Sequence, residues 1–320
     1  MMMEKPDMNP VNSTDLQRGT FIKTAAAVAS LPWLATSSRA AGDAPQKKAS
    51  TQTHKILSCN IRTPLEGDYK SGNGWETRKE FCAEVIRAQR PDLIGLQEAY
   101  GIQVDYLKSQ LPGFENFGQA IPGPVFNPIN TILYSTARYE VVSSGGIWLS
   151  ERPHIAGSIS WDSVRPRFAN WMDLKDRASG QKFRFWNTHL DHKGKVARRE
   201  QSRVLTEAAE AYPDLPQILT GDLNADGTTP PIKALKDRGW IDTYAAVHGP
   251  EDPGFTFHRF TGSEYATRTT KGKIDWIFCR GGVQPMAAEV IRDHQKGRYP
   301  SDHYFISAEV ALKPSGTKDA

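Results

Sequence analysis

Six short polar motifs close hydrophobic runs in this chain: Asn60 in ILSCNIR, Glu98 in LIGLQEA, His189 in FWNTHLDH, Asp222 and Asn224 in ILTGDLNAD, Asp275 in KIDWIF, and Asp302 with His303 in PSDHYF. Carboxylates, amides and imidazoles at strand ends are the groups that metal-assisted hydrolysis of a phosphate ester requires. Glu98 follows an almost wholly apolar run, where an unpartnered carboxylate is costly and a divalent cation is a natural partner. Asn60 can supply a neutral oxygen beside such a carboxylate or hold it in place. Taken singly, Glu98 also reads as a surface acid after a strand and Asn60 as a turn former.

Gly221-Asp222-Leu223-Asn224 is more specific. Glycine lets the chain turn tightly, and an acid and an amide two residues apart project together if the strand continues. That pair suits the positioning of a water while a phosphate oxygen is bound; the competing reading is a local Asx-type turn. In KIDWIF, Ile274, Trp276 and Phe278 alternate with Asp275, which places the acid on the opposite face of an apolar strand. There it can orient and charge-stabilise an imidazole such as His303. A lone histidine is more often structural than catalytic, so His189 and His303 draw their weight from the company they keep.

The elements that must position these groups are legible as alternating strand and helix signals. Strands are expected at Ile56–Ile61, Leu93–Gln97, Thr131–Ser135, Gly146–Leu149, Phe168–Leu174, Phe183–Thr188, Gln217–Thr220, Lys273–Cys279 and Tyr304–Leu312. Trp75–Gln89 reads as a helix with Phe81, Cys82, Val85 and Ile86 on one face, and Val196–Tyr212 as another with Leu205, Ala208, Ala209 and Tyr212 inward. The stretches Ile121–Pro128 and Gly249–Gly272 read as loops, usual places for substrate contacts. Together these give one mixed α/β domain over residues 54–314 without internal repeats.

Composition is consistent with that reading. The chain has 320 residues, 38% hydrophobic and 24% charged, which excludes a disordered or membrane-embedded protein, and a net charge of +4 that permits an anionic substrate without demanding one. Arg18 and Lys23 precede the apolar run Thr24–Ala35, and Ser38-Arg39-Ala40 resembles a signal-peptidase site, so residues 1–40 are expected to be an export signal. The run Arg18-Gly19-Thr20-Phe21-Ile22-Lys23 looks like a twin-arginine motif with Gly19 in place of the second arginine. Residues 41–53, rich in Lys, Gln, Ser and Thr, read as a disordered linker. The expected product is an exported monomer, periplasmic or extracellular, without stable membrane insertion. Cys59, Cys82 and Cys279 lack metal-ligand spacing and sit among apolar neighbours, as buried small hydrophobes do.

Taken together, and in this order, the motifs resemble those of the endonuclease/exonuclease/phosphatase superfamily, over essentially His54–Leu312. The resemblance implies a four-layer sandwich of two mixed β-sheets flanked by helices, deoxyribonuclease I-like, with a magnesium-dependent site at one edge of the sheets (manganese being an alternative ion). It further implies that Asn60, Glu98 and Asp302 surround the metal, that Asp222 and Asn224 handle water and phosphate, and that Asp275 pairs with His303. His189 matches a subgroup with two active-site histidines, where it assists the leaving oxygen or binds phosphate, and Arg167 looks like a phosphate-binding arginine. Deoxyribonuclease-like members carry a carboxylate near the strand at Thr131–Ser135 to orient the first histidine; this chain has Asn127 and Asn130 there.

The expected function is an exported divalent-metal phosphodiesterase, nuclease-like, acting on a phosphate ester or nucleic acid. The alternatives are a phospholipid or sugar-phosphate hydrolase, and a non-catalytic binding module on the same scaffold. The basic run His192–Arg203 invites a polynucleotide reading, but Glu200 and Glu207 on the same expected helix favour a solvated face. The GFTFH segment at Gly254–His258 resembles a substrate-loop motif of bacterial members, without an assignable role.

Overall fold

The computed structural model describes residues 53–119, 130–269 and 271–313. The expected export signal, the linker up to residue 52, the loop at Ile121–Pro128 with its Asn127, and residue 314 lie outside the described residues.

Twelve strands form two six-stranded sheets. The first sheet contains β1 (Thr53–Asn60), β2 (Leu93–Gln97), β3 (Phe114–Phe117), β4 (Ile132–Ser135), β11 (Val283–Ile291) and β12 (Phe305–Leu312), in the order β11-β12-β1-β2-β4-β3. The second contains β5 (Tyr139–Trp148), β6 (Phe168–Asp176), β7 (Lys182–His189), β8 (Gln217–Asp222), β9 (Ile241–Asp242) and β10 (Asp275–Arg280), in the order β5-β6-β7-β8-β10-β9. The helices are α1 (Glu66–Lys70), α2 (Trp75–Ala88), α3 (Gly101–Gln110), α4 (Lys195–Glu210), α5 (Pro230–Asp237) and α6 (Thr243–His248).

The period-two alternation of side chains explains the layering. On β1, Ile56 joins a core shared by the two sheets, with Phe185 and Ile277, while the next residue, Leu57, packs against Cys82 and Ile86 of α2. On β8, Ile218 faces the same shared core and Leu219 packs with Leu205 of α4 and Leu235 of α5. Strands buried on both faces therefore read as continuous apolar runs. The result is the expected four-layer α/β sandwich.

Parallel pairing occurs twice, between β1 and β2 and between β7 and β8. Each pair is joined by a helical crossover, through α1 and α2 or through α4, so both members end on the same edge of their sheet. Between the sheets, Gln97 Nε2 donates to Asn187 Oδ1 at 2.7 Å, and Asn187 Nδ2 donates to Leu96 O at 2.7 Å and Thr131 O at 3.1 Å. A Cβ on Gly95 would lie 2.0 Å from Thr220 Oγ1 and 2.6 Å from Asn187 Oδ1, so only glycine lets the sheets approach here.

Several expectations are revised. The strand expected at Gly146–Leu149 is the end of the longer β5, a partly exposed edge strand bulged between Val141 and Ser143. β3, β9, β11, α1, α3, α5 and α6 were not read from sequence, and the loop at Gly249–Gly272 contains a 3₁₀ turn at Gly262–Arg268. Cys59, Cys82 and Cys279 are buried free thiols.

Away from the sheet edge that carries the polar motifs, His54 is buried with Nδ1 2.7 Å from the Tyr139 hydroxyl. Burial, then the Arg138 charge, lower its pKa from 6.5 to about 4. The unfolded chain takes up this proton near pH 6.5 and the folded one only near 4, so stability is full above 6.5 and is lost as pH falls through that window. The melting temperature of His54→Phe is expected to decline less between pH 6.5 and 4 than that of the native chain; an equal decline would count against this origin.

Candidate active site

Strand register assembles the site. Across the second sheet, Asp275 on β10 lies opposite Asp222 on β8, and Asp222 lies opposite His189 on β7. In the first sheet, Asn60 on β1 lies opposite Gln97, and Glu98 is the next residue. The two sheet edges meet where Asn60 Nδ2 donates to Asp222 Oδ2 at 3.0 Å and to Glu98 Oε1 at 3.3 Å. A cleft of about 270 Å³ opens there, lined by Glu98, Arg167, His189, Asp222, Asn224, Asp302 and His303 among others. These are seven of the nine residues singled out from sequence; Asn60 and Asp275 stand behind them, each hydrogen-bonded to a lining residue.

Glu98 has a left-handed backbone, φ 59°, which costs a non-glycine residue about 1 kcal/mol or more. Its Oε2 accepts the Thr63 amide at 3.1 Å and the Thr63 hydroxyl at 3.2 Å. Burial works to raise the Glu98 pKa, but the His303 charge, the Thr63 amide and Arg62 together hold it below the usual carboxylate value.

Asp222 and Asn224 do not share a face of a continuing strand. β8 stops at Asp222, Asn224 turns at φ 48°, and its amide donates to Asp222 Oδ1 at 2.9 Å, which is the Asx-type turn. Asn224 Nδ2 donates to Leu190 O at 3.1 Å, which fixes the amide orientation, and lies 2.9 Å from His189 Nε2. Both amide hydrogens are thereby committed, so Asn224 orients His189 in place of the missing carboxylate. Asn130 Nδ2 instead donates to Phe168 O at 3.0 Å. Burial, followed by the positive Arg167, His303 and His192, pushes His189 well below the ordinary imidazole value, so it is neutral with its proton on Nδ1.

His303 behaves oppositely. Burial disfavours its cation, but Asp275, 2.9 Å from Nδ1, raises the pKa to about 10. Asp222, whose Oδ2 lies 3.8 Å from His303 Nε2 and 3.4 Å from His189 Nε2, is raised by burial and by Asp275 to about 7. The cleft therefore combines a standing cation, a neutral imidazole and a carboxylate able to accept a proton near neutrality, the set needed to activate a water against an anionic centre.

Arg62 and Asp191 were missed in the sequence. Arg62, at φ 58°, ion-pairs with Asp68 at 2.9 Å and Asp302 at 3.3 Å. Arg167 approaches buried Asp191 through Nε at 3.8 Å, beyond hydrogen-bond distance, and its Nη2 lies 3.2 Å from His192 Nδ1. Asp191 also accepts the amides of Val164, Lys193 and Gly194, and so holds the Arg167 loop. The GFTFH segment now has a place. Thr256 Oγ1 accepts the amides of Ile274 and Asp275 at 3.0 and 3.2 Å, its carbonyl accepts the Tyr304 amide at 2.8 Å, and Phe257 packs on the His303 ring with centroids 4.9 Å apart. The resemblance of GFTFH to a substrate-loop motif was the available signal; these contacts use backbone groups that sequence does not mark.

Two groupings could hold a metal ion. Asp222, Asp275 and His303 have ligand atoms within 4.8 Å of one another. Within it, Asp275 Oδ2 and His303 Nδ1 are already bonded to each other at 2.9 Å. Glu98 and Asp302 fit better. Burial raises the Asp302 pKa and the Glu98 charge raises it further, though His303 and Arg62 oppose this, so a cation between these hard oxygen donors would relieve a real repulsion.

Comparison with known proteins agrees. An endonuclease/exonuclease/phosphatase family protein from Bacteroides thetaiotaomicron superposes with a TM-score of 0.76 at 30% identity, covering 82% of this chain and 98% of that one. A mannosyl-6-phosphatase of the same organism gives 0.74 at 30% identity, covering 81% and 100%. D. rerio TDP2 complexed with single strand DNA product gives 0.63 at 20% identity, covering 81% and 99%, and shares the fold alone. The profile of the endonuclease/exonuclease/phosphatase family matches residues 57–303, a span that opens just before Asn60 and closes on His303, and the chain belongs to that family of phosphoester-hydrolysing enzymes.

Proposed function

We propose that this protein is an exported, divalent-metal-dependent phosphoesterase whose substrate is a small phosphate ester, in the first place a phosphorylated sugar. The observation that carries the phosphoesterase reading is the row Asp275–Asp222–His189 meeting Glu98 and Asp302 in one cleft. Its size suits a phosphate with a compact leaving group, and one of the two 30%-identical structures described above is that of a mannosyl-6-phosphatase. Export is supported by Arg18, the apolar run Thr24–Ala35 and Ser38-Arg39-Ala40.

Glu98 and Asp302, with Asn60 beside them, would hold Mg²⁺ or Mn²⁺, which supplies charge neutralisation at the phosphate. Arg167 and cationic His303, both lining the cleft, bind phosphate oxygens. Asp222 orients the attacking water and accepts its proton as the new P–O bond forms and the ester P–O bond breaks. His189, held at Nε2 by Asn224, lines the cleft beside Asp222 as a neutral imidazole. The departing alkoxide takes its proton from solvent at the mouth of the cleft, past His192 and Arg165. Turnover of p-nitrophenyl phosphate, mannose 6-phosphate, bis-p-nitrophenyl phosphate and single-stranded DNA, with Mg²⁺ and with chelator, tests this. Preference for the diester or DNA would overturn the sugar-phosphate assignment, and chelator-insensitive turnover the metal.

A nuclease-like reading keeps one observation in its favour: Lys193 and Lys195 are exposed just beyond His192. Farther along α4, however, Arg199 and Arg203 are engaged by Glu200 and Glu207 at 2.8 Å. Neutralising Lys193, Lys195 and Arg199 together is expected to leave both small-ester turnover and the salt dependence of DNA binding unchanged. A drop in salt slope of about one unit per lost contact would restore the polynucleotide reading.

A further inference from the structure

Arg78, on α2, is 5% exposed, and its guanidinium spends its donors on main-chain carbonyls. Nε donates to Asn73 O at 3.0 Å, Nη1 to Ile61 O at 2.7 Å and Pro300 O at 2.9 Å, and Nη2 to Arg62 O at 2.7 Å. The faces of Trp75 and Phe260 lie 5.1 and 5.7 Å from its Cζ. Burying a cation without a bonded carboxylate is expensive, and an apolar side chain could fill the same volume without that cost. What an apolar residue could not do is reach three directions at once. Ile61 and Arg62 follow Asn60 directly, and Pro300 begins the Pro300-Ser301-Asp302-His303 turn. The same two segments are joined a second time where Ser301 Oγ donates to Asn60 O at 2.6 Å, and the Arg62 carbonyl also accepts Gln103 Nε2 at 2.9 Å.

We propose that Arg78 is a positioning residue: its planar fork locks the segment after β1 to the segment before β12, and so sets how Asn60 and Arg62 stand relative to Asp302 and His303. The assignment rests on the phosphoesterase reading, since it is the cleft's geometry that Arg78 serves. Lysine keeps the charge and stem but concentrates its donors on one nitrogen, which cannot span Asn73, Ile61, Arg62 and Pro300 together.

Arg78→Lys is the variant to make, with Arg87→Lys on the exposed side of the same helix as control. The expected result for Arg78→Lys is a fall of about 10-fold to 100-fold in kcat on p-nitrophenyl phosphate and of about 10-fold in Mn²⁺ affinity measured by calorimetry, the usual scale for a residue that orients a ligand. The protein should remain folded at the assay temperature by thermal melting, and millimolar guanidinium should restore part of the activity of Arg78→Ala. Unaltered kcat and Mn²⁺ affinity in Arg78→Lys would overturn the proposal, as would a loss of activity that merely follows the folded fraction. Mn²⁺ calorimetry is read without substrate, so it judges the clamp even if the sugar-phosphate assignment fails.

Discussion

Glu98→Gln is expected to lower phosphoester turnover by about 10³-fold, the rate equivalent of about 4 kcal/mol, while leaving the fold intact. The substitution is nearly isosteric and preserves an acceptor for Thr63; it removes the charge and, with its NH2 facing Asn60 Nδ2, the 3.3 Å bond from that amide. It removes one of the two carboxylates whose repulsion a metal ion would relieve. Excess Mg²⁺ should recover only part of the rate, since Asp302 remains and is itself drawn towards Arg62. Steady-state kinetics across a metal titration check this; full activity in Glu98→Gln would sink the metal assignment.

The second large effect concerns the Asp275–His303 pair. Alanine at His303 is expected to cost about 10² to 10⁴-fold in kcat, the scale for a positioned acid–base or charge-stabilising group. Asp275→Asn should reproduce most of that loss, because the carboxylate is what holds His303 cationic. The two losses should be far from additive in the double variant, as for residues that act as a unit. Additive losses would show that each acts alone. His189→Ala should be milder, since a neutral imidazole contributes a hydrogen bond and no charge.

The fold was legible where burial imposes an apolar signal on both faces, as in Leu93–Gln97 and Gln217–Thr220. Edge strands gave no such signal: β3 and much of β5 and β11 face solvent, and their mixed lettering hides them. Seven of the nine candidate residues line one cleft because each closes, follows or shortly precedes a buried strand, which is a property written in the lettering. Roles within the site were less accessible. Asn224 was expected to bind phosphate, and only the turn at φ 48° shows its amide spent on His189 and Leu190. Arg78 and Thr256 were invisible because their partners are main-chain groups of segments distant in sequence, and Arg62 and Asp191 because no motif spacing marks the carboxylates and amides they meet.

The amide bonds from Gln97 to Asn187, and from Asn187 to Leu96 and Thr131, tie the two sheets together directly beneath the cleft. Asn60, Glu98, Asp302 and His303 stand on or beside strands of one sheet and Arg167, His189, Asp222, Asn224 and Asp275 on or beside strands of the other, so neither sheet holds a usable site by itself. Catalysis is thus coupled to the cooperative unit of the whole domain: any opening that parts the sheets must break buried amide bonds and expose the shared core in the same event. A partly opened molecule with residual turnover has no place in such an arrangement. Loss of activity on heating should follow the same transition as loss of the sheets, and the enzyme's working lifetime is set by global unfolding instead of by fraying at the cleft.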